Sequence, residues 1–209
     1  MRSSQPIPGN PWPHDMVIRI NIDDGKLCHL LFVRSAWGLH PPGLPDLDSE
    51  PDPGASARPR RPAIDELERL WLLDWSLAWS RFESPRQVPP PDRTLRDIDA
   101  ATDQELREWF SPRISERWYQ GIDHNAENTW RISLVDSISP LPGEDPEWRS
   151  LPALINAWET GLRTIVQLPF QGYYAQPVNP THLLVSRLTR QEPELYSQAL
   201  NHFFETGRK

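Results

Sequence analysis

Cysteine is almost absent: Cys28 stands alone in 209 residues, which excludes an internal disulfide framework and any cysteine-based zinc knuckle and fits a reducing compartment. Cytoplasm is the simplest location to expect. Long apolar runs are missing too. The most apolar stretch, around Trp71 to Trp79, is broken by Asp74 and falls well short of the roughly 20 residues of a membrane span. The first fifteen residues carry prolines and no apolar run, so a secretory hydrophobic region is not expected. Basic charge is in deficit. Lys and Arg total 22 against 29 Asp and Glu, a net charge of −7, so phosphate backbones meet repulsion and nucleic acid is not an expected partner. The sequence also lacks a phosphate-binding P-loop, a dinucleotide-binding glycine fingerprint, a G-x-S-x-G nucleophile elbow and an H-E-x-x-H zinc motif. No cofactor is expected, and a non-catalytic role is favoured over an enzyme.

Proline and tryptophan are abundant. The 24 prolines are about double ordinary usage and they cluster, so the ordered part is shorter than the chain. Ten tryptophans offset the modest apolar fraction, because each aromatic buries roughly 150–250 Å². One domain spanning residues 1–209 is expected.

Met16, Ile18, Ile20 and Ile22 alternate with Val17, Arg19 and Asn21, the period-2 pattern of a half-buried strand. Asp24-Gly25 follows and suits a type I′ turn, so Leu27–Val33, apolar on both faces, reads as the return strand of a hairpin. Residues 38–62 are rich in proline, with Asp46, Asp48, Glu50 and Asp52 followed by Arg58, Arg60 and Arg61. That composition reads as a disordered insert.

Pro62 opens a long helix. Ile64, Leu67, Trp71, Trp75, Ala78, Trp79 and Phe82 fall in one stripe, and Leu70, Leu73 and Leu77 form a second apolar set on the other side. The helix is therefore central or an interface, and Trp71, Trp75 and Trp79, spaced by four, are candidate binding residues for a protein partner or a second copy. Ser84-Pro85 and Pro89-Pro90-Pro91 end it in an extended connection over 84–96. Thr102 and Glu105 have capping-box spacing for a short helix to Phe110. Ile114–Tyr119 suits another turn of helix, Thr129–Val135 a strand, and 144–148 irregular backbone. Leu151–Leu162 has helical spacing ended by Gly161, Thr164–Leu168 and Leu183–Ser186 read as strands, and Pro193–Phe204 as a helix with Thr189 and Glu192 near its start. The fold class is α+β, a mixed or antiparallel sheet with an N-terminal β-hairpin, packed by the Trp-rich helix and C-terminal helices.

Chemistry-bearing residues are few. Asp123, His124 and Glu127 bring oxygen and imidazole ligands close enough to share an ion if the loop curls, although a turn explains Asp and Asn without one. Asp97 and Asp99 form a D-x-D pair that also suits a solvated loop. Asp74 lies between Leu73 and Trp75, where desolvation favours the acid form of a carboxyl; an arginine partner is the simpler expectation. His182, Tyr173, Tyr174 and Gln167 are the leading candidates to converge at one end of the sheet, where ligand sites form, although a packed loop with a satisfied histidine is the simpler expectation. The candidate catalytic residues are thus Asp74, His124 and His182. Acidic charge, aromatic richness and missing motifs suggest an inhibitor-, immunity- or antitoxin-like module for a basic protein partner. The alternatives are a small hydrolase or transferase using His124 and His182, and a homo-oligomer joined by the Trp-rich helix.

Overall fold

The structure is a computed structural model, and it describes residues 11–22, 24–83, 114–136 and 145–206. The proline connection over 84–96, Asp97, Asp99, the Thr102–Phe110 helix and the turn at 140–143 lie outside the described residues. Where length suggests one core, the chain forms two compact units, one of Met1–Asp24, Pro45–Glu50 and Thr129–Lys209, the other of Gly25–Leu44 and Pro51–Asn128.

The first unit holds a four-stranded mixed sheet. Strands β1 (Arg19–Asn21), β2 (Thr164–Leu168), β3 (Ala175–Asn179) and β4 (His182–Ser186) lie in the order β1-β2-β4-β3. β1 pairs parallel with β2 and β2 parallel with β4, while β3 returns antiparallel to β4. The β-branched and apolar run of β2 is buried at all five positions, as expected of a strand covered on both faces. Ile165, Leu183 and Val185 pack with Leu154 and Ala157 of one helix and with Tyr196, Ala199, Leu200 and Phe203 of another. These are the C-terminal helices read from the 3.6 period, Leu151–Glu159 and Pro193–Thr206. In the loop between strands β2 and β4, β3 was hidden by its proline and its polar residues, which an edge strand tolerates.

The second unit is helical where described. Its α1 (Gly25–Ala36) occupies the place of the expected return strand, so there is no N-terminal hairpin. Every residue from Leu27 to Arg34 is buried. A helix buried on all sides shows no amphipathic period, and apolar residues on both faces imitate a central strand; the 12-residue length is what favours the helix. Asp24-Gly25 opens α1 and makes no turn. The Trp-rich helix α2 (Ile64–Glu83) follows the sequence reading more closely. Leu67, Trp71, Trp75 and Ala78 are buried, and the Trp71 indole donates to the Leu30 carbonyl at 2.8 Å, fixing α2 on α1. Ile64 departs from the expected stripe and is exposed. A 3-10 turn covers Glu116–Tyr119, within the Ile114–Tyr119 turn read from sequence.

Helix α3 (His124–Asp136) begins in the second unit and ends in the first; it replaces the strand expected at Thr129–Val135. Trp130, Ile132 and Leu134 alternate in sequence, yet the buried positions are Glu127, Trp130 and Leu134, with Ile132 exposed. That spacing is helical. The remaining helices are α4 (Pro146–Arg149), where irregular backbone was expected, α5 (Leu151–Glu159), α6 (Arg187–Gln191) and α7 (Pro193–Thr206). Ser186 caps α6 by accepting from the Thr189 N–H, and Thr189, expected near the start of the last helix, lies inside α6.

Residues 38–62, which composition reads as disordered, carry specific backbone hydrogen bonds. In the second unit the Leu39 N–H donates to Arg34 and the His40 N–H to the Glu68 carboxylate. In the first, the Asp48 N–H donates to the Pro169 carbonyl and the Asp46 carbonyl accepts from the Gln171 N–H around the Leu47–Phe170 bridge. Gly54 and Gly121 make a further anchor possible. Both have positive φ, and a Cβ would lie 2.6 Å from the Asp123 carboxylate at Gly54 and 2.5 Å from the Ala57 carbonyl at Gly121. Partners distant in sequence place this segment, and composition does not reveal them.

Candidate functional site

In the helical unit, two elements bring an acid and two imidazoles together. α1 supplies His29, whose position in an apolar run gave no sign of a role, and the first turn of α3 supplies His124 and Glu127. Glu127 is buried, with Oε1 2.8 Å from His29 Nδ1 and Oε2 3.1 Å from His124 Nδ1. Burial pushes the Glu127 carboxyl upward, but the hydrogen bond and charge of His29, then those of His124, outweigh it and hold the group below its ordinary value. The Tyr119 ring stacks on His29 with centroids 4.2 Å apart and lies 6.3 Å from His124. Tyr119 and His124 form the exposed side of the cluster, and His29 and Glu127 the buried side.

A carboxylate that accepts from Nδ1–H fixes the imidazole tautomer and leaves Nε2 as the basic nitrogen. His29 Nε2 is buried with no hydrogen-bond partner among the described residues. The arrangement has the carboxylate–histidine geometry of a general base, but no hydroxyl or thiol among the described residues is hydrogen-bonded to either ring. Nor does any group of three or more His, Cys, Asp or Glu among the described residues have metal-site geometry. Asp123, the third candidate ligand, is engaged otherwise. Its carboxylate accepts from the Ala55 N–H at 3.0 Å and from Asn125 and Ala126 at the start of α3. These backbone donors, Ala55 first and then Ala126, hold its carboxyl below the ordinary range. Asp123 is a helix cap and an anchor for residues 54–57.

No described arginine pairs with Asp74. Its carboxylate accepts from the Trp118 indole at 2.6 Å and from the Ser115 N–H at 3.4 Å. Trp118 is fully buried and packs against Trp37 at 5.5 Å, so Asp74 ties the 3-10 turn to α2. Trp71 stacks on Trp75 at 4.9 Å, and Trp75 meets Trp79 edge-on at 5.7 Å. The indole row packs within its own unit.

Gln167, Tyr173, Tyr174 and His182, the candidates for a shared site, do not all converge. His182 pairs with Thr164 at one end of the β2–β4 ladder, whereas Gln167 pairs with Val185 three residues further on, about 10 Å away. Tyr174 joins the Gln167 end, its carbonyl accepting from the Ser186 N–H. His182 Nδ1 contacts Asn179 and Thr181, and burial, then the charge of Arg19, lowers its pKa. The Tyr174 hydroxyl donates to Gln176, and burial raises its pKa; Tyr173 is exposed.

Gln167 belongs to a buried network that sequence reading missed. The Arg190 guanidinium grips Glu147 with Nε to Oε1 at 2.8 Å and Nη2 to Oε2 at 2.7 Å, and donates from Nη1 to Gln167 at 3.1 Å. The Tyr196 hydroxyl donates to Glu147 at 3.0 Å. Burial works to lower the Arg190 pKa, but Glu147 outweighs it; burial, followed by the Glu147 charge, raises Tyr196 well above its usual value. The sequence holds no signal for the pair, since Glu147 lies 43 residues from Arg190. Every group of this network is satisfied and enclosed, which makes it a structural clamp. No protein-family model matches the chain, and no curated protein or solved structure matches it either.

Proposed function

We propose that the protein is a non-catalytic interaction module, of the inhibitor, immunity or antitoxin kind, that engages a basic protein partner through helix α2. One observation carries this reading. α2 commits its indole stripe to the interior, while Leu73 and Leu77 on its other side are 57% and 40% exposed and Leu70 is half-buried. Burying a leucine side chain fully is worth roughly 1.5–3 kcal/mol, so a partner covering this row gains from it directly. Asp65 and Glu66, exposed in the first turn of the same helix, and the net charge of −7 favour a basic partner.

The test is affinity capture from the cells that make the protein, with wild type beside the Leu73→Ser/Leu77→Ser variant. The reading expects one basic protein bound stoichiometrically by wild type and lost by the variant, with unfolding stability changed by no more than about 0.5 kcal/mol because both sites are on the surface. Equal capture by both chains, or turnover on a substrate panel, would overturn it. An enzyme remains the second reading, favoured by the carboxylate-bridged His29 and His124. Any turnover found should then vanish in His124→Ala and persist in His182→Ala, since the two histidines lie in different units. A homo-oligomer would have to use the leucine row as well, because Trp71 and Trp75 are buried; a monomeric mass at high concentration would count against it.

A further inference from the structure

Three arginines that pair with no described residue stand on an anchored stretch of backbone. Arg58, Arg60 and Arg61 are all exposed, and none makes a hydrogen bond, an ion pair or a ring contact with any described residue. Carboxylates are plentiful in this chain, and Glu66, a few residues on, pairs with Arg69 at 3.7 Å. No described carboxylate neutralises the three guanidinium groups, which lie within four residues of sequence.

Their backbone is nevertheless fixed on both sides. Upstream, the Ala55 N–H donates to Asp123 at 3.0 Å, the Ala57 N–H donates to the Gly121 carbonyl at 2.7 Å, and the Ser56 hydroxyl accepts from the Asp123 N–H at 2.9 Å. Downstream, α2 begins at Ile64, with the Leu67 N–H on the Ala63 carbonyl. Pro59 and Pro62 restrict φ in between. A ligand meeting this stretch therefore orders side chains alone, which reduces the entropy lost on binding.

We propose that Arg58, Arg60 and Arg61 form a docking strip for a short acidic segment of a partner protein. A guanidinium presents paired donors that match a carboxylate bidentately, and three such groups suit a run of Asp or Glu. The length of the partner is set by charge. An extended polyanion such as nucleic acid would be repelled by a chain of net charge −7, whereas a few carboxylates meet the strip with little of that long-range cost. The strip is separate from the leucine row of α2 and does not depend on it.

The test uses the full chain and fluorescein-labelled hexaglutamate, followed by fluorescence anisotropy at low ionic strength, with a labelled deoxythymidine decamer in parallel. Hexaglutamate should bind more tightly than the decamer, and its binding should weaken as salt is added. The Arg58→Gln/Arg60→Gln/Arg61→Gln variant should lose about tenfold in affinity, the summed effect of three exposed charge contacts, with an unchanged circular dichroism spectrum. Arg58→Gln alone provides a milder step in the same direction. The Leu73→Ser/Leu77→Ser variant should bind hexaglutamate as wild type does, so that failure of this strip and failure of the α2 reading are told apart. No binding by wild type, undiminished binding by the triple variant, or tighter binding of the decamer would each overturn the proposal.

Discussion

Glu147→Gln should destabilise the sheet-bearing unit by about 3–5 kcal/mol, the cost of leaving one member of a buried ion pair uncompensated. The magnitude follows from the geometry. Arg190 is 5% exposed and holds Glu147 by two hydrogen bonds of 2.8 and 2.7 Å, and the buried Tyr196 hydroxyl depends on the same carboxylate. Glutamine retains the shape and one acceptor oxygen but removes the charge, so the guanidinium stays desolvated opposite a neutral amide. Replacing both members tests the argument further. In Glu147→Leu/Arg190→Met no buried charge remains, and that variant should be much closer to wild type than either single change, because desolvation cancels most of what a buried pair gains. Urea unfolding followed by circular dichroism measures both, and amide hydrogen exchange in β2 and β4 locates the loss in this unit. A Glu147→Gln variant within about 0.5 kcal/mol of wild type would show that Arg190 finds water or another partner, and would refute the clamp.

Glu127 gives a pH dependence of defined sign. Its folded pKa lies below the ordinary value of 4.5, so its contribution is fully present above about pH 4.5 and disappears as pH falls through the folded value. Wild type should therefore lose stability in acid more steeply than Glu127→Gln, as acid titration of unfolding at several urea concentrations would reveal. Gly121→Ala combines positive φ with a 2.5 Å approach to the Ala57 carbonyl; a loss of about 1–3 kcal/mol and faster exchange of the Ala57 amide are expected. Trp118→Phe removes the 2.6 Å bond to Asp74 and should cost about 1–3 kcal/mol, with Asp74→Asn costing less because the amide oxygen still accepts.

Several elements were legible because their pattern carries its own environment. The β-branched run of β2 and the 3.6 period of α5 and α7 state which face is covered, and the structure places them at Thr164–Leu168, Leu151–Glu159 and Pro193–Thr206. α1 was illegible for the opposite reason. Burial around its whole circumference leaves neither period in the sequence, so two apolar faces read equally well as a central strand. In α3 the side chains that alternate, Trp130, Ile132 and Leu134, conceal the inward set of Glu127, Trp130 and Leu134. Of the candidate site, the Asp123–Glu127 stretch was visible as chemistry, since His124 and Glu127 sit at i and i+3.

The sequence by itself determined what depends on neighbours along the chain: the two apolar sides of α2, strands β2 and β4, helices α5 and α7, the acidic charge and the absence of known catalytic motifs. Tertiary structure alone decided what depends on partners far away. It brought His29 to Glu127 across 98 positions, Trp118 to Asp74 across 44, and Arg190 to Glu147 across 43. Periodicity reports whether a residue faces inward; hydrogen bonding between buried polar groups depends on which inward-facing residues meet, and that is fixed only when the elements pack.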